Sequence, residues 1–109
     1  MTTCASQVVL ASARAGVLRQ AARACEIALA KEGVRALVIG SLAYADIRPE
    51  SDLDLLIVSY PGKQWSEVSR IAADAARPFD VPVDVIFADT LWPTIRRAML
   101  KDARPASRL

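Results

Sequence analysis

Asp52-Leu53-Asp54-Leu55-Leu56-Ile57-Val58-Ser59 reads as one strand with two unlike faces. Side chains alternate across a strand, and residues two apart lie about 6.5–7 Å from each other on the same face. Leu53, Leu55 and Ile57 therefore share one face, which is buried, while Asp52 and Asp54 share the other. Two carboxylates side by side at the mouth of an apolar strand repel, and a raised pKa or a bound cation must relieve them. Tyr60-Pro61-Gly62 closes the strand with turn chemistry.

A third acidic residue repeats the pattern downstream. Asp84 lies within Val81-Pro82-Val83-Asp84-Val85-Ile86-Phe87, an otherwise apolar strand with Pro82 at its start, where a missing N–H costs least. Aspartate is depleted in strands and rarely buried unpaired. If this strand neighbours the first, about 4.8 Å away, the three carboxylates converge. Oxygen donors without nitrogen or sulfur select a hard cation, Mg²⁺ or Mn²⁺, over zinc. Upstream, Ala36-Leu37-Val38-Ile39 is a short buried strand that stops at Gly40-Ser41. A glycine at a strand end, then a serine opening a helical turn over Ser41–Ala45, offers open amides, a hydroxyl and a helix dipole to phosphate. A triphosphate held there and Mg²⁺ held on the carboxylates are complementary halves of a phosphoryl-transfer site.

The rest of the chain flanks these strands with helices. Residues 6–31 carry no proline and read as one long amphipathic helix, with Leu10, Val17, Ala21, Ala24, Ala28 and Lys31 near helical spacing and Arg14, Arg19 and Arg23 off that line. Gly33 suits the position just past its end. Trp65, Val68, Ile71, Ala72 and Ala75 mark a helix over residues 64–76, ended by Arg77-Pro78. Asp89 or Thr90 is placed to cap a last helix with Pro93 in its first turn, burying Leu91, Ile95, Ala98 and Met99. The expected fold is α/β in the α+β sense, a small mixed sheet flanked by helices. One domain over residues 1–109 is expected, with residues 1–6 and 103–109 as loose termini.

Composition excludes several chemistries. The 109 residues include no histidine, which removes Ser-His-Asp and Cys-His triads, HExxH zinc sites and any imidazole base. Cys4 and Cys25 match neither a CxxC pair nor a disulfide framework and read as reduced thiols. No apolar run approaches the ~20 residues that cross a bilayer. The start lacks the basic region of a signal peptide, so a cytoplasmic protein without membrane partners is expected. Arg96, Arg97, Lys101, Arg104 and Arg108 make the C-terminal stretch basic, but no RNA-binding signature accompanies them.

Gly40-Ser41, ten residues, then Asp52-Leu53-Asp54, with Val83-Asp84-Val85 further on, resembles the signature of the polymerase-β-like nucleotidyltransferases, and within them the minimal nucleotidyltransferases. The resemblance implies that Gly40 and Ser41 hold the terminal phosphates of ATP. It implies that Asp52 and Asp54 bind two Mg²⁺ ions, and that Asp84 completes one metal shell and helps deprotonate an acceptor hydroxyl. Relatives of this size resemble antitoxins that transfer AMP to a tyrosine of a HEPN-domain toxin, so that toxin is the implied protein partner. The family motif often reads Gly-Ser-x-Ala-Arg-Gly, whereas Tyr44 and Ala45 stand here in place of the arginine and glycine. Arg48 is the nearby cation that could replace the arginine.

Plainer readings exist for each residue alone. Asp52 could be a turn residue, Asp54 a solvent-facing strand residue, Asp84 an arginine's partner, and Ser41 a helix cap. Trp65 and Trp92 read as core, or as a partner surface if accessible. A module that neutralises its partner by binding alone, with weak catalysis, is the alternative function. Modification of a small molecule such as an aminoglycoside is a third, though the helical domain usual there is missing.

Overall fold

Twenty alanines in 109 residues supply much of the helical surface, and the first and longest helix uses them most. In the computed structural model, which describes residues 5–43 and 46–109 with side chains from residue 8 onward, helix α1 spans Ala5–Lys31. It ends in a Schellman arrangement: Gly33, at φ 76°, donates to the Ala30 carbonyl, and Val34 donates to that of Leu29. Strand β1 (Arg35–Ile39) follows, then β2 (Leu53–Ser59), helix α2 (Trp65–Ala76), strand β3 (Val83–Phe87) and helix α3 (Pro93–Asp102). Short 3-10 turns close the chain after α2, after β3 and at Ala106–Arg108.

The sheet order is β1-β2-β3, with β1 antiparallel and β3 parallel to the central β2. The α2 crossover makes the parallel pairing reachable. The architecture is therefore the expected α+β fold with a small mixed sheet. Alternation along β2 sends Leu53, Leu55 and Ile57 to the face covered by α1 and α2, where they meet Leu18, Ala22, Cys25, Leu29, Val68 and Ala72. Leu56 and Val58 face the other way, toward Ile39, Ile86, Ala88, Met99 and Ala103. No described helix is long and apolar enough to cross a membrane.

Five expectations are corrected. The buried stripe of α1 is Ala15, Leu18, Ala21, Ala22, Cys25 and Leu29; of the expected line Ala21 is buried and Val17 packs against the core, but Leu10 and Lys31 do not, because the first turns lie outside the core and leave Val8, Val9 and Leu10 exposed. Cys25 is thus a core thiol, its Sγ donating to the Ala72 carbonyl at 3.3 Å, and burial pushes its pKa up to about 11. Residues 40–43 form a turn and not the start of a helix; Tyr44 and Ala45, like Cys4, lie outside the described residues. The N-cap of α3 is Trp92, not Asp89 or Thr90, which belong to a 3-10 turn. Helix α3 buries none of its residues: Ile95 is 44% exposed, and only Met99 and the preceding Leu91 reach the sheet.

The termini are the fifth correction. Ala5 and Ser6 are already helical, and residues 103–109 are tied down. Arg104 exchanges backbone hydrogen bonds of 2.7 and 3.0 Å with Val38 on the outer edge of β1. Glu26 of α1 accepts the Ala106 amide at 2.8 Å, and Ala103 and Ala106 are buried. An unpaired edge strand carries unsatisfied amides and carbonyls, and this segment satisfies two of them. Trp65 and Trp92 are both exposed, at 55% and 77%, so neither is core.

Candidate active site

The register brings the acidic residues to one end of the sheet. Asp54 on β2 is paired directly with Asp84 on β3, and on its other side with Ile39, the residue before Gly40. Parallel neighbours in register point to the same face, so the two carboxyls meet. The Asp54 pKa is raised: partial burial strips its water, the charges of Asp84 and Asp52 oppose its ionisation, and its carboxyl is within hydrogen-bonding reach of Asp84.

Gly40 makes room for this pair. Its φ of 75° lies in the left-handed region, and a Cβ built there would overlap Asp54 Oδ2 and stand 3.1 Å from Asp54 Cγ. Backbone conformation and space therefore both require glycine. Beyond it, Ser41 accepts the Asp46 amide through its carbonyl at 2.9 Å. Among the described residues no carbonyl takes the amide hydrogens of Ser41, Leu42 or Ala43, so the turn presents open donors without a following helix. A cavity of about 200 Å³ lies beside it, lined by Ile39, Gly40, Ala43, Met99 and Asp102.

Asp52 is placed differently. It sits one step before β2, exposed, with Oδ1 3.9 Å from a guanidinium nitrogen of Arg14. The Arg14 Nε donates to the Ser51 carbonyl at 2.8 Å, so one side chain of α1 pins the entry to β2. Arg48 meets none of the carboxylates; its amide donates to Ser51 Oγ in the preceding turn. The cation beside the site is therefore Arg14, which sequence reasoning placed only on the outer side of its helix. Its partners lie 37 and 38 positions away, and no local pattern announces such a contact.

The structure thus brings Asp54, Asp84 and Gly40 together, with Ser41 in the adjoining turn and Asp52 near enough for its charge to act on Asp54. Among the described residues no three acidic or thiol side chains form a ready-made metal cage. The donor set nevertheless fits a hard divalent cation. It is all carboxylate oxygen, it includes two opposed groups whose repulsion a cation would relieve, the sequence has no histidine, and the described cysteine, Cys25, is held in the core.

Comparison with known proteins bears on the fold and the family. No curated protein matches the chain. A solved structure described as that of a candidate minimal nucleotidyltransferase is similar at a TM-score of 0.71 and 29% identity, over 84% of this chain and 94% of that one. The sequence model of the nucleotidyltransferase domain matches residues 19–106, which hold Gly40, Asp52, Asp54 and Asp84 alike. The chain belongs to the nucleotidyltransferase domain family.

Proposed function

We propose that this nucleotidyltransferase moves AMP from ATP to an acceptor hydroxyl, with Asp52, Asp54 and Asp84 as the residues that hold Mg²⁺. The observation that carries the reading is the in-register pair of Asp54 and Asp84, set against a glycine that leaves space for the Asp54 carboxyl. When bound, Mg²⁺ (or Mn²⁺) supplies charge neutralisation for the triphosphate and acidity for the attacking hydroxyl. The Gly40–Ala43 turn contributes its open amides, and Ser41 its hydroxyl, to the terminal phosphates. Asp84, the more exposed of the pair, takes the proton as the acceptor oxygen bonds to the α-phosphorus. The bond to the β-phosphate oxygen breaks in line, and pyrophosphate leaves. Arg14 holds the Ser51–Asp52 entry to β2 in place.

For the acceptor, the resemblance to antitoxin-type minimal nucleotidyltransferases points to a tyrosine on a HEPN-domain toxin. Incubation of the chain with labelled ATP, Mg²⁺ and its genomic-neighbour protein is expected to put label on that protein and to release pyrophosphate. Asp54→Asn with Asp84→Asn should abolish both. Label that persists in the double variant, or none with the native chain, would overturn the reading. Neutralisation of the partner by the double variant at equal concentration would favour binding alone.

A further inference from the structure

The C-terminal segment does more than cover the edge of β1. It forms one wall of a groove of about 650 Å³ whose other walls are α1 from Val8 to Arg19 and the residues Leu42, Ala43 and Ile47. Three arginines from distant parts of the chain line it: Arg19 of α1, and Arg104 and Arg108 of the C-terminal segment. Among the described residues neither Arg19 nor Arg108 has an ion-pair partner, and Arg104 spends its guanidinium on the backbone carbonyls of Lys101 and Ala103. No aspartate or glutamate side chain is among the described lining residues, and even against a carboxylate at Leu109 three arginines leave the groove net positive, which favours an anionic ligand. Leu42, Ala43 and Ile47 add an aliphatic wall, and Ala43 also lines the small cavity beside Gly40. The groove therefore runs up to the turn that flanks the carboxylate pair.

We infer that this groove docks an acidic, aliphatic-rich polypeptide segment of the protein that bears the acceptor hydroxyl. The choice of polypeptide over nucleic acid follows from the lining. Aliphatic walls with arginines match leucine or valine side chains interleaved with glutamate or aspartate. The acceptor's identity rests on the nucleotidyl-transfer reading, whereas the groove's ligand chemistry does not.

Fluorescence anisotropy with a short labelled peptide alternating glutamate and leucine tests this without nucleotide or metal. The native chain should bind it saturably, with affinity falling as salt rises. Arg19→Glu with Arg108→Glu should weaken binding by about tenfold or more, and Arg19→Gln with Arg108→Gln by less. Circular dichroism verifies that both variants remain folded, and ATP binding should be unchanged in them. The lysine-leucine counterpart should not bind. Absence of saturable binding, affinity indifferent to both double variants, or tighter binding of an oligothymidine strand would overturn the proposal. Loss of ATP binding by the native chain would instead count against the nucleotidyl-transfer reading and leave the groove standing.

Discussion

Replacing Gly40 by alanine is expected to cost about 1–3 kcal/mol of stability, since a left-handed φ and a blocked Cβ are forced together there. The same change should displace the Asp54 carboxyl, so activity should fall further than stability does. Gly33 and Gly62 have equally positive φ but nothing near their Cβ positions, so alanine at Gly62 serves as the strain-only control. Urea titration and turnover measured on both variants check this; equal activity losses at the two glycines would sink it. Much at this scale was legible beforehand. Asp54 and Asp84 declare themselves because a carboxylate in an apolar strand is costly, Asp52 by its spacing from Asp54, and Gly40 because it ends such a strand. Arg14 did not, since its value depends on Ser51 and Asp52 arriving from 37 residues away. Nor did the tighter engagement of Asp54 than of Asp52, because strand register is a tertiary property.

Elements whose partners are strong and nearby were readable; those that fill leftover surface were not. Helices α1 and α2 and all three strands follow from periodicity and apolar runs, and their bounds shift by only a residue or two. Helix α3 has the period but not the burial, because the face beneath it is a small patch that its Met99 covers together with the flanking Leu91 and Ala103. The polar segment after it reads as a loose tail, yet it closes the edge of β1. Deleting residues 103–109 should therefore remove the paired bonds at Val38, the Ala106–Glu26 bond and two buried alanines. The summed loss should be about 2–4 kcal/mol, taking roughly 1 kcal/mol per hydrogen bond plus the apolar burial. A lowered urea midpoint and increased self-association of the exposed edge are the expected results. An unchanged midpoint would show that the segment contributes nothing.

For the molecule as a whole, stability and function should pull the carboxylate pair in opposite directions. Folding raises the Asp54 pKa, so between the unfolded value of 3.8 and the raised folded one the native state binds more protons than the unfolded. Stability supplied by this group is greatest below that window, declines as pH rises through it and stays low above it. In metal-free buffer at neutral pH, Asp54→Asn should therefore stabilise the fold, modestly because solvent screens a half-exposed group. The gain should vanish in acid below pH 3.8, where the native carboxyl is already neutral. A cation that binds only the folded chain adds RT ln(1 + [L]/Kd), about 2.7 kcal/mol at a hundredfold excess over Kd. For a domain of this size each kcal/mol moves the melting temperature by roughly 4–8 °C. Added Mg²⁺ should consequently raise the melting temperature of the native chain at neutral pH, lose that effect in acid, and leave Asp54→Asn almost unmoved. Thermal melts of both proteins with and without Mg²⁺ across this pH range separate the cases. A carboxylate pair that binds no ion would show no Mg²⁺ response in either protein. Opposite signs in the two buffers are what a site held in tension for an ion requires.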